Sequence, residues 1–338
     1  MKKNYFKLPF IILAALLSAS CGKKQAPAYL QSAFVMGVQA QIRVYGAGEA
    51  AGRPVADAVL NEWKRISDEF SFSEPYSQTS LVNKQAYGEW VKVDAELLSL
   101  LQLSMDYYKL TGGAFDITFA PLWPIWKEAA SSRKMPSKED ISRALANIGS
   151  AYVQIDADRK LVRFSRPVQI NMGGILRAYC FVRAAQILKE RAPAHPVELR
   201  LGGNMMAYGK RDWEYEVMDP FKDDKLFGKL RFSDGVVMSS SGREHFVQIE
   251  GKLYSHILDL KTGYPISDFS NLVVYLPGFD SDDFIPSAVL AVMGKEKAFG
   301  LLSKMKGTAA VWIDGSGKET VFSNSASGAR WEKAKKLF

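Results

Sequence analysis

The sequence predicts one mixed α/β (α+β) domain of about 305 residues, arranged in two lobes. Three observations predict it. Short stretches of alternating apolar residues recur along the chain between stretches of helical period. No segment rich in Pro, Gly and Ser divides the chain, and no internal repeat is present. Hydrophobic residues make up 47% of the 338, enough to fill a large core.

The elements follow in order. Residues 1–20 carry Lys2, Lys3 and Lys7, an apolar run over 8–17, and Ser18-Ala19-Ser20 before Cys21. This is the pattern of a secretory leader, and its apolar run is too short for a membrane-spanning helix. Residues 21–30 form a polar tether with Lys23, Lys24 and Pro27. The folded part, 31–338, opens on Phe34, Met36, Val38, Ala40, Ile42 and Val44, whose alternation predicts one half-buried strand. Val55, Val59, Trp63, Ile66 and Phe70 follow at helical spacing. Asp94 is placed to cap the next helix, whose Leu97, Leu98, Leu101 and Met105 stripe stops before Thr111-Gly112-Gly113. Ser137 starts another helix, with Asp140 in the capping-box position. Helices are also predicted over 177–191 and 288–293, and strands over 152–155, 161–164, 197–201, 213–217, 246–249, 272–276 and 309–313.

Loss of the leader removes three lysines and no acid, so the formal charge of +8 falls to +5. That balance suits an anionic lipid surface or an anionic cofactor. No run of Lys and Arg interleaved with aromatics marks a nucleic-acid groove, so no nucleic-acid partner is expected. A cysteine directly after small residues resembles a bacterial lipoprotein signal. The resemblance implies a lipid on Cys21 and a place in the cell envelope, on a membrane and facing the periplasm or the exterior. Cys180 then has no disulfide partner.

Unusual residues gather in six places. Gly113-Ala114-Phe115-Asp116-Ile117-Thr118 sets a carboxylate and a hydroxyl beside flexible backbone, and Asn171-Met172-Gly173-Gly174-Ile175-Leu176-Arg177 joins a strand to a helix. There the glycine pair lets backbone approach a ligand, and first-turn amides attract an anion; a tight turn explains the pair equally well. Gly202-Gly203-Asn204 repeats the device, and Ser239-Ser240-Ser241-Gly242 offers hydroxyls suited to a pyrophosphate or a polar ring, or simply a solvent turn. Asp283 and Ser287 lie one helical turn apart, able to offer oxygens to a hard cation or to cap a helix. In Tyr254-Ser255-His256-Ile257-Leu258-Asp259, followed by Leu260-Lys261-Thr262-Gly263-Tyr264-Pro265, Asp259 either faces a ligand or caps its own turn. Tyr254 and Tyr264 pack either on a ligand ring or in the core.

The ordered set resembles the ApbE family of FAD:protein FMN transferases. The family pattern runs Met-Gly-Thr, Gly-Ala-Phe-Asp-Pro-Thr, Asp-x-Gly-Gly-Ile-Ala-Lys-Gly-Tyr, Gly-Gly-Asp, Thr-Ser-Gly and His-Ile-x-Asp-Pro-x-Thr-Gly-Tyr-Pro. This chain has Met36-Gly37-Val38, Gly113 to Thr118, Asn171 to Tyr179, Gly202-Gly203-Asn204, Ser240-Ser241-Gly242 and His256 to Pro265 in the same order. The resemblance implies an ApbE-type domain of mixed and antiparallel sheets with flanking helices, binding FAD in a cleft between lobes. It implies cofactor contacts from Met36, Asp116, Gly173, Gly174, Gly203, Asn204, Ser240, Ser241, His256, Asp259 and Thr262. Arg177 and His256 take the catalytic positions, and Mg2+ takes the Leu176 carbonyl with Asp283 and Ser287. The implied reaction moves FMN from FAD to a threonine or serine of an acceptor flavoprotein, such as a subunit of a membrane redox pump, and releases AMP.

The chain departs from the pattern at charged positions. Arg177 replaces lysine, Asn171, Asn204 and Val182 replace aspartate, and Arg243 stands where an acid is common. In strict register Phe284 and Ala288 take the metal positions, and a one-residue slip brings in Asp283 and Ser287. Three readings therefore stand: a transferase, a catalytically impaired homologue that binds flavin or acts as an accessory protein, and an enzyme that hydrolyses FAD to FMN and AMP.

Overall fold

The computed structural model describes residues 28–191, 193–242, 246–249, 252–255, 257–266, 269–278 and 285–334. Its frame is an eight-stranded sheet in which every neighbouring pair is antiparallel. Across the sheet the strands run Ala28–Val35, Val38–Tyr45, Val197–Leu201, Asn204–Tyr208, Gly235–Ser241, Asn271–Leu276, Ala309–Ile313 and Glu319–Ser323. Spatial order equals chain order, so everything else is inserted between consecutive strands.

The period of two explains the layers. Leu272, Val274 and Leu276 face the larger core with Ile42, Leu199 and Val236, while Val273 and Tyr275 face a second core with Val237 and Val311. All six residues of Asn271–Leu276 are buried, because both faces of that strand are covered. The first face carries the helices Glu49–Phe70, Ala95–Leu110 and Gly173–Arg191. The second is covered by a three-stranded sheet of Trp213–Met218, Leu226–Phe232 and Arg330–Lys333. Cys180 lies wholly inside the larger core, where burial pushes its thiol pKa up and keeps it a thiol.

Helix ends follow the caps read from sequence. Asp94 accepts from Leu97 N at 2.7 Å, and Ser137 from Asp140 N at 3.0 Å. Arg65 ties Glu62 to Glu96, Arg183 reaches Glu62 at 2.7 Å, and Tyr179 donates to Glu96, so three helices share one ionic knot. Hydrogen bonding from Arg65 lowers the Glu62 carboxyl from 4.5 to about 2, against the opposing effect of burial. A lowered folded-state value means stability that is complete above pH 4.5 and lost as pH falls toward 2. Urea midpoints of the native protein are expected to drop between pH 5 and pH 2.5 more than those of Glu62→Gln; equal slopes would remove this knot as the cause.

A satellite cluster forms the smaller lobe. The helices Leu122–Ser132 and Lys138–Leu145 bury Leu122, Trp126 and Ile141 against Ile249 and Leu258 of the hairpin region. Among the described residues no helix is long and apolar enough to cross a membrane. The leader, Cys21 and residues 22–27 of the tether lie outside the described residues.

Several sequence expectations shift. The alternation from Phe34 to Val44 is not one strand. Met36, at φ 51°, and Gly37, at φ 72°, turn the chain between two strands so that Val35 pairs with Val38. The reversal switches the buried parity, which leaves Phe34 83% exposed while Ala40, Ile42 and Val44 are buried. Ala28 to Leu30, counted above with the tether, begin the first strand. The helix expected from 177 begins at Gly173, and Ser239 to Ser241 end a strand instead of forming a turn.

Candidate functional site

The loop at Asn171, which follows an isolated bridge of Gln169 to Phe119 and not the strand expected from sequence, forms one wall of a cleft of about 530 Å³, within the range of ligand pockets. Asn171 accepts from Gly173 N at 2.9 Å, a local stop that directs the chain into the helix Gly173–Arg191. An asparagine oxygen does this as an aspartate oxygen would. A Cβ on Gly174 would lie 2.9 Å from the Phe115 ring, so the absent side chain lets helix and aromatic loop close on each other. Gly173, Gly174, Leu176 and Arg177 all line the cleft at the helix start, where the helix dipole favours an anion, although Gly173 N is already bonded to Asn171 and the amides of Ile175 and Leu176 to Met172 O. Val182 lies deeper in the helix and is buried in the core, where an aspartate would lack solvent.

The loop holding Phe115 is fixed by Asp116. Asp116 Oδ1 accepts from Thr118 N at 2.8 Å, Thr118 Oγ1 at 2.6 Å and Ser150 Oγ at 2.7 Å, and Oδ2 accepts from Ser150 N at 2.8 Å. Thr118 Oγ1 in turn accepts from Gly149 N at 2.7 Å. This carboxylate borders the cleft, but its internal bonds make it a brace between two loops.

The sheet supplies the opposite wall. Asn204 accepts from Ser239 N at 3.0 Å and donates to Leu201 O at 3.4 Å, joining two strands where their ladder ends. An aspartate could accept but not donate, so Asn204→Asp sets a carboxylate against a buried carbonyl. Chemical denaturation is expected to show a loss of about 1–2 kcal/mol for that variant; an unchanged midpoint would show that the amide nitrogen does nothing. Ser239, Ser240 and Ser241 line the cleft beside Met36 and Met238. Ser240 Oγ lies 2.9 Å from Ser287 Oγ, and Ser287 is buried while its neighbour Ala288 lines the cleft. Gly203 instead lies in the hairpin turn, its carbonyl accepting from Tyr215.

The smaller lobe closes the third side through Trp123, Leu258 and Leu260. Trp126 Nε1 donates to Gly263 O at 2.8 Å, and Gly263 has φ +75° with Ile141 2.5 Å from where a Cβ would stand. Tyr254 and Tyr264 pack on Trp126 at 5.8 and 5.9 Å, which makes them core residues of the lobe. Asp259 accepts from Lys261 N at 2.9 Å and Thr262 Oγ1 at 3.2 Å. The pair thus holds its own turn, away from the cleft lining. His256 and Asp283 lie outside the described residues, as do Arg243 and Phe284. Among the described residues no cluster of three or more His, Cys, Asp or Glu is placed to hold a metal.

Sequence reasoning missed Ser71, Phe72 and Ser73, which follow the long helix, and Phe119 and Trp123. No motif marks them; only the exposed Trp123 on an otherwise apolar helix start hinted at use.

A glycine-opened helix start on one wall and strand-end hydroxyls on the other, between two lobes of an antiparallel α/β domain, define a class of protein whose cleft suits an anion joined to a ring. The chain belongs to the ApbE family, whose profile matches residues 36–312. It is 25% identical over 287 residues to a FAD:protein FMN transferase of Klebsiella pneumoniae, covering 84% of this chain and 89% of that one. A FAD:protein FMN transferase of Treponema pallidum is 24% identical over 331 residues, 91% of each chain. The crystal structure of the ApbE protein of Thermotoga maritima superposes with a TM-score of 0.77 at 28% identity, covering 88% of this chain and 97% of that chain. The flavin transferase ApbE of Vibrio cholerae, at 19% identity, shares the fold with a TM-score of 0.73, over 89% of this chain and 98% of its own.

Proposed function

We propose that this protein is an exported, lipid-anchored FAD:protein FMN transferase, acting with Mg2+ on a threonine or serine of an acceptor flavoprotein. The observation that carries the reading is the glycine-paired helix start opening on a 530 Å³ cleft in a chain of this family. In the reaction the acceptor oxygen bonds to the FMN phosphorus, the pyrophosphate P–O bond to AMP breaks, and the hydroxyl proton leaves. The dipole of the helix that starts at Gly173 and the permanent charge of Arg177 attract the pyrophosphate, but a guanidinium does not exchange a proton at neutral pH. Met36, Phe72 and Trp123 give apolar walls to a ring, and the serines at the strand end give its polar edge partners.

Mg2+ would offset charge on the phosphates. Near the expected place Ser240 pairs with Ser287, and Asp116, the carboxylate in the described cleft lining, is engaged by Ser150 and Thr118. Two hydroxyls alone do not fit a cation that prefers carboxylates. The ion therefore enters the proposal only through Asp283.

One observation favours a second reading, flavin binding without transfer: apolar Ala288 lines the cleft while Ser287 turns to Ser240. Incubating the full chain with FAD, Mg2+ and rising amounts of acceptor separates the readings. AMP release that follows acceptor supports transfer; release without acceptor marks hydrolysis; bound FAD with no AMP marks the second reading.

A further inference from the structure

Among the described residues the three-stranded covering sheet leaves one part of the central sheet bare. Its core takes residues from Asn204–Tyr208 onward, and from the first three strands only the partly buried Tyr45. Directly paired residues of an antiparallel sheet share a face. Leu30 pairs with Arg43 and Phe34 with Gln39, while Arg43 and Gln41 pair in turn with Glu198 and Arg200. This bare face therefore presents Leu30, 48% exposed, and Phe34, 83% exposed, beside Arg43 and Arg200. Arg211 joins them, its guanidinium 3.8 Å from the centre of the Tyr45 ring. The acid on this face, Glu198, is buried and accepts from Tyr45 at 2.6 Å and from Arg200 at 2.5 Å; Asp212 is exposed beside Arg211.

The chain enters the fold on this same face. Ala28, the first described residue, pairs with Tyr45 and so stands beside the arginines. Only residues 22–27 separate Cys21 from Ala28, a span of at most about 25 Å. From there the first strand runs to Val35, and Met36 at its tip lines the cleft.

We propose that the outer face of the first two strands is a membrane-docking surface for a leaflet of anionic lipid, with Arg43, Arg200 and Arg211 on headgroups and Leu30 and Phe34 at the acyl boundary. Exposed apolar side chains beside basic ones are the make-up of an interfacial surface. The docking holds the cleft mouth at the membrane, where a membrane-bound acceptor would meet it. It rests on the lipid anchor proposed above, and the test keeps the two apart.

A spin label on Phe34→Cys reports immersion, since Cys180 is wholly buried and unreactive, an acylated Cys21 has no free thiol, and Cys21→Ser removes that thiol from any chain found unacylated. A label on Glu190→Cys, in the helical layer, is the control. Full-length protein is placed on phosphatidylcholine vesicles with and without phosphatidylglycerol. The label at 34 is expected to become accessible to oxygen and shielded from a water-soluble nickel reagent on the anionic vesicles alone, with the label at 190 unchanged. Arg43→Glu with Arg211→Glu is expected to abolish this, each arginine being worth roughly fivefold in partition. Equal water exposure at 34 on both vesicle types, or spin–spin broadening that marks a second copy on this face, would overturn the proposal. The mass of the N-terminal peptide reports the lipid on Cys21 separately: an acylated chain with an unimmersed label sinks docking alone, and an unacylated chain with an immersed label sinks the anchor alone.

Discussion

Replacing Asp116 by alanine is expected to lower the stability of the domain by about 3–5 kcal/mol, because two buried backbone amides and two hydroxyls lose a shared charged acceptor. The bonds lost are those from Thr118 and Ser150, which tie the loop carrying Phe115 to the start of the segment at Gly149. Asp116→Asn keeps one acceptor oxygen and turns an amide toward the other donors, so its loss is expected to be about half as large. Urea unfolding of the three proteins checks the order. A ligand-contact role predicts something else: weaker FAD binding with an unchanged unfolding midpoint. That outcome would give Asp116 a ligand-contact role instead of a bracing one.

Gly174→Val is expected to weaken FAD binding at least about tenfold, a loss of about 1.4 kcal/mol or more. Its Cβ alone would sit 2.9 Å from Phe115 Cε2, and the two branches beyond it push the ring into the cleft or the helix start away from it. Gly300→Ala is the matched control. A Cβ there meets nothing within 4 Å, in the interior of the helix Lys295–Leu302, so stability is expected to rise by about 0.5–1 kcal/mol with FAD affinity unchanged. Equilibrium dialysis reads both. Native-like affinity in a folded Gly174→Val protein would show that the ligand does not depend on this close approach.

Much of the scaffold was legible because single residues decide local structure. Asp94 and Ser137 cap as their side chains require, and the strands over 161–164, 197–201 and 309–313 have the predicted bounds. The hairpin at Met36 was hidden because a two-residue turn reverses the chain without interrupting the apolar spacing. Asn204–Tyr208 and Gly235–Ser241 escaped notice since strands covered on both faces carry no alternation. In the site, motif order pointed to the cleft wall of Gly173, Gly174, Arg177 and Ser240. It could not say where carboxylates spend their oxygens. Asp259 turns inward on Lys261 and Thr262, and Asp116 on Ser150, partners that lie outside any motif for the second and within the same turn for the first. Asn204 looked like a lost aspartate until its amide was seen to donate as well as accept.

On the function proposed above, this cleft delivers FMN to a protein hydroxyl. The intact mass of an acceptor flavoprotein after incubation with the full-length chain, FAD and Mg2+ tests it directly. The predicted result is a gain of one FMN, joined through a phosphoester to a threonine or serine and formed more slowly at subsaturating FAD when Gly174→Val replaces the native chain. An acceptor of unchanged mass, beside native protein that has bound FAD to saturation, would contradict the claim.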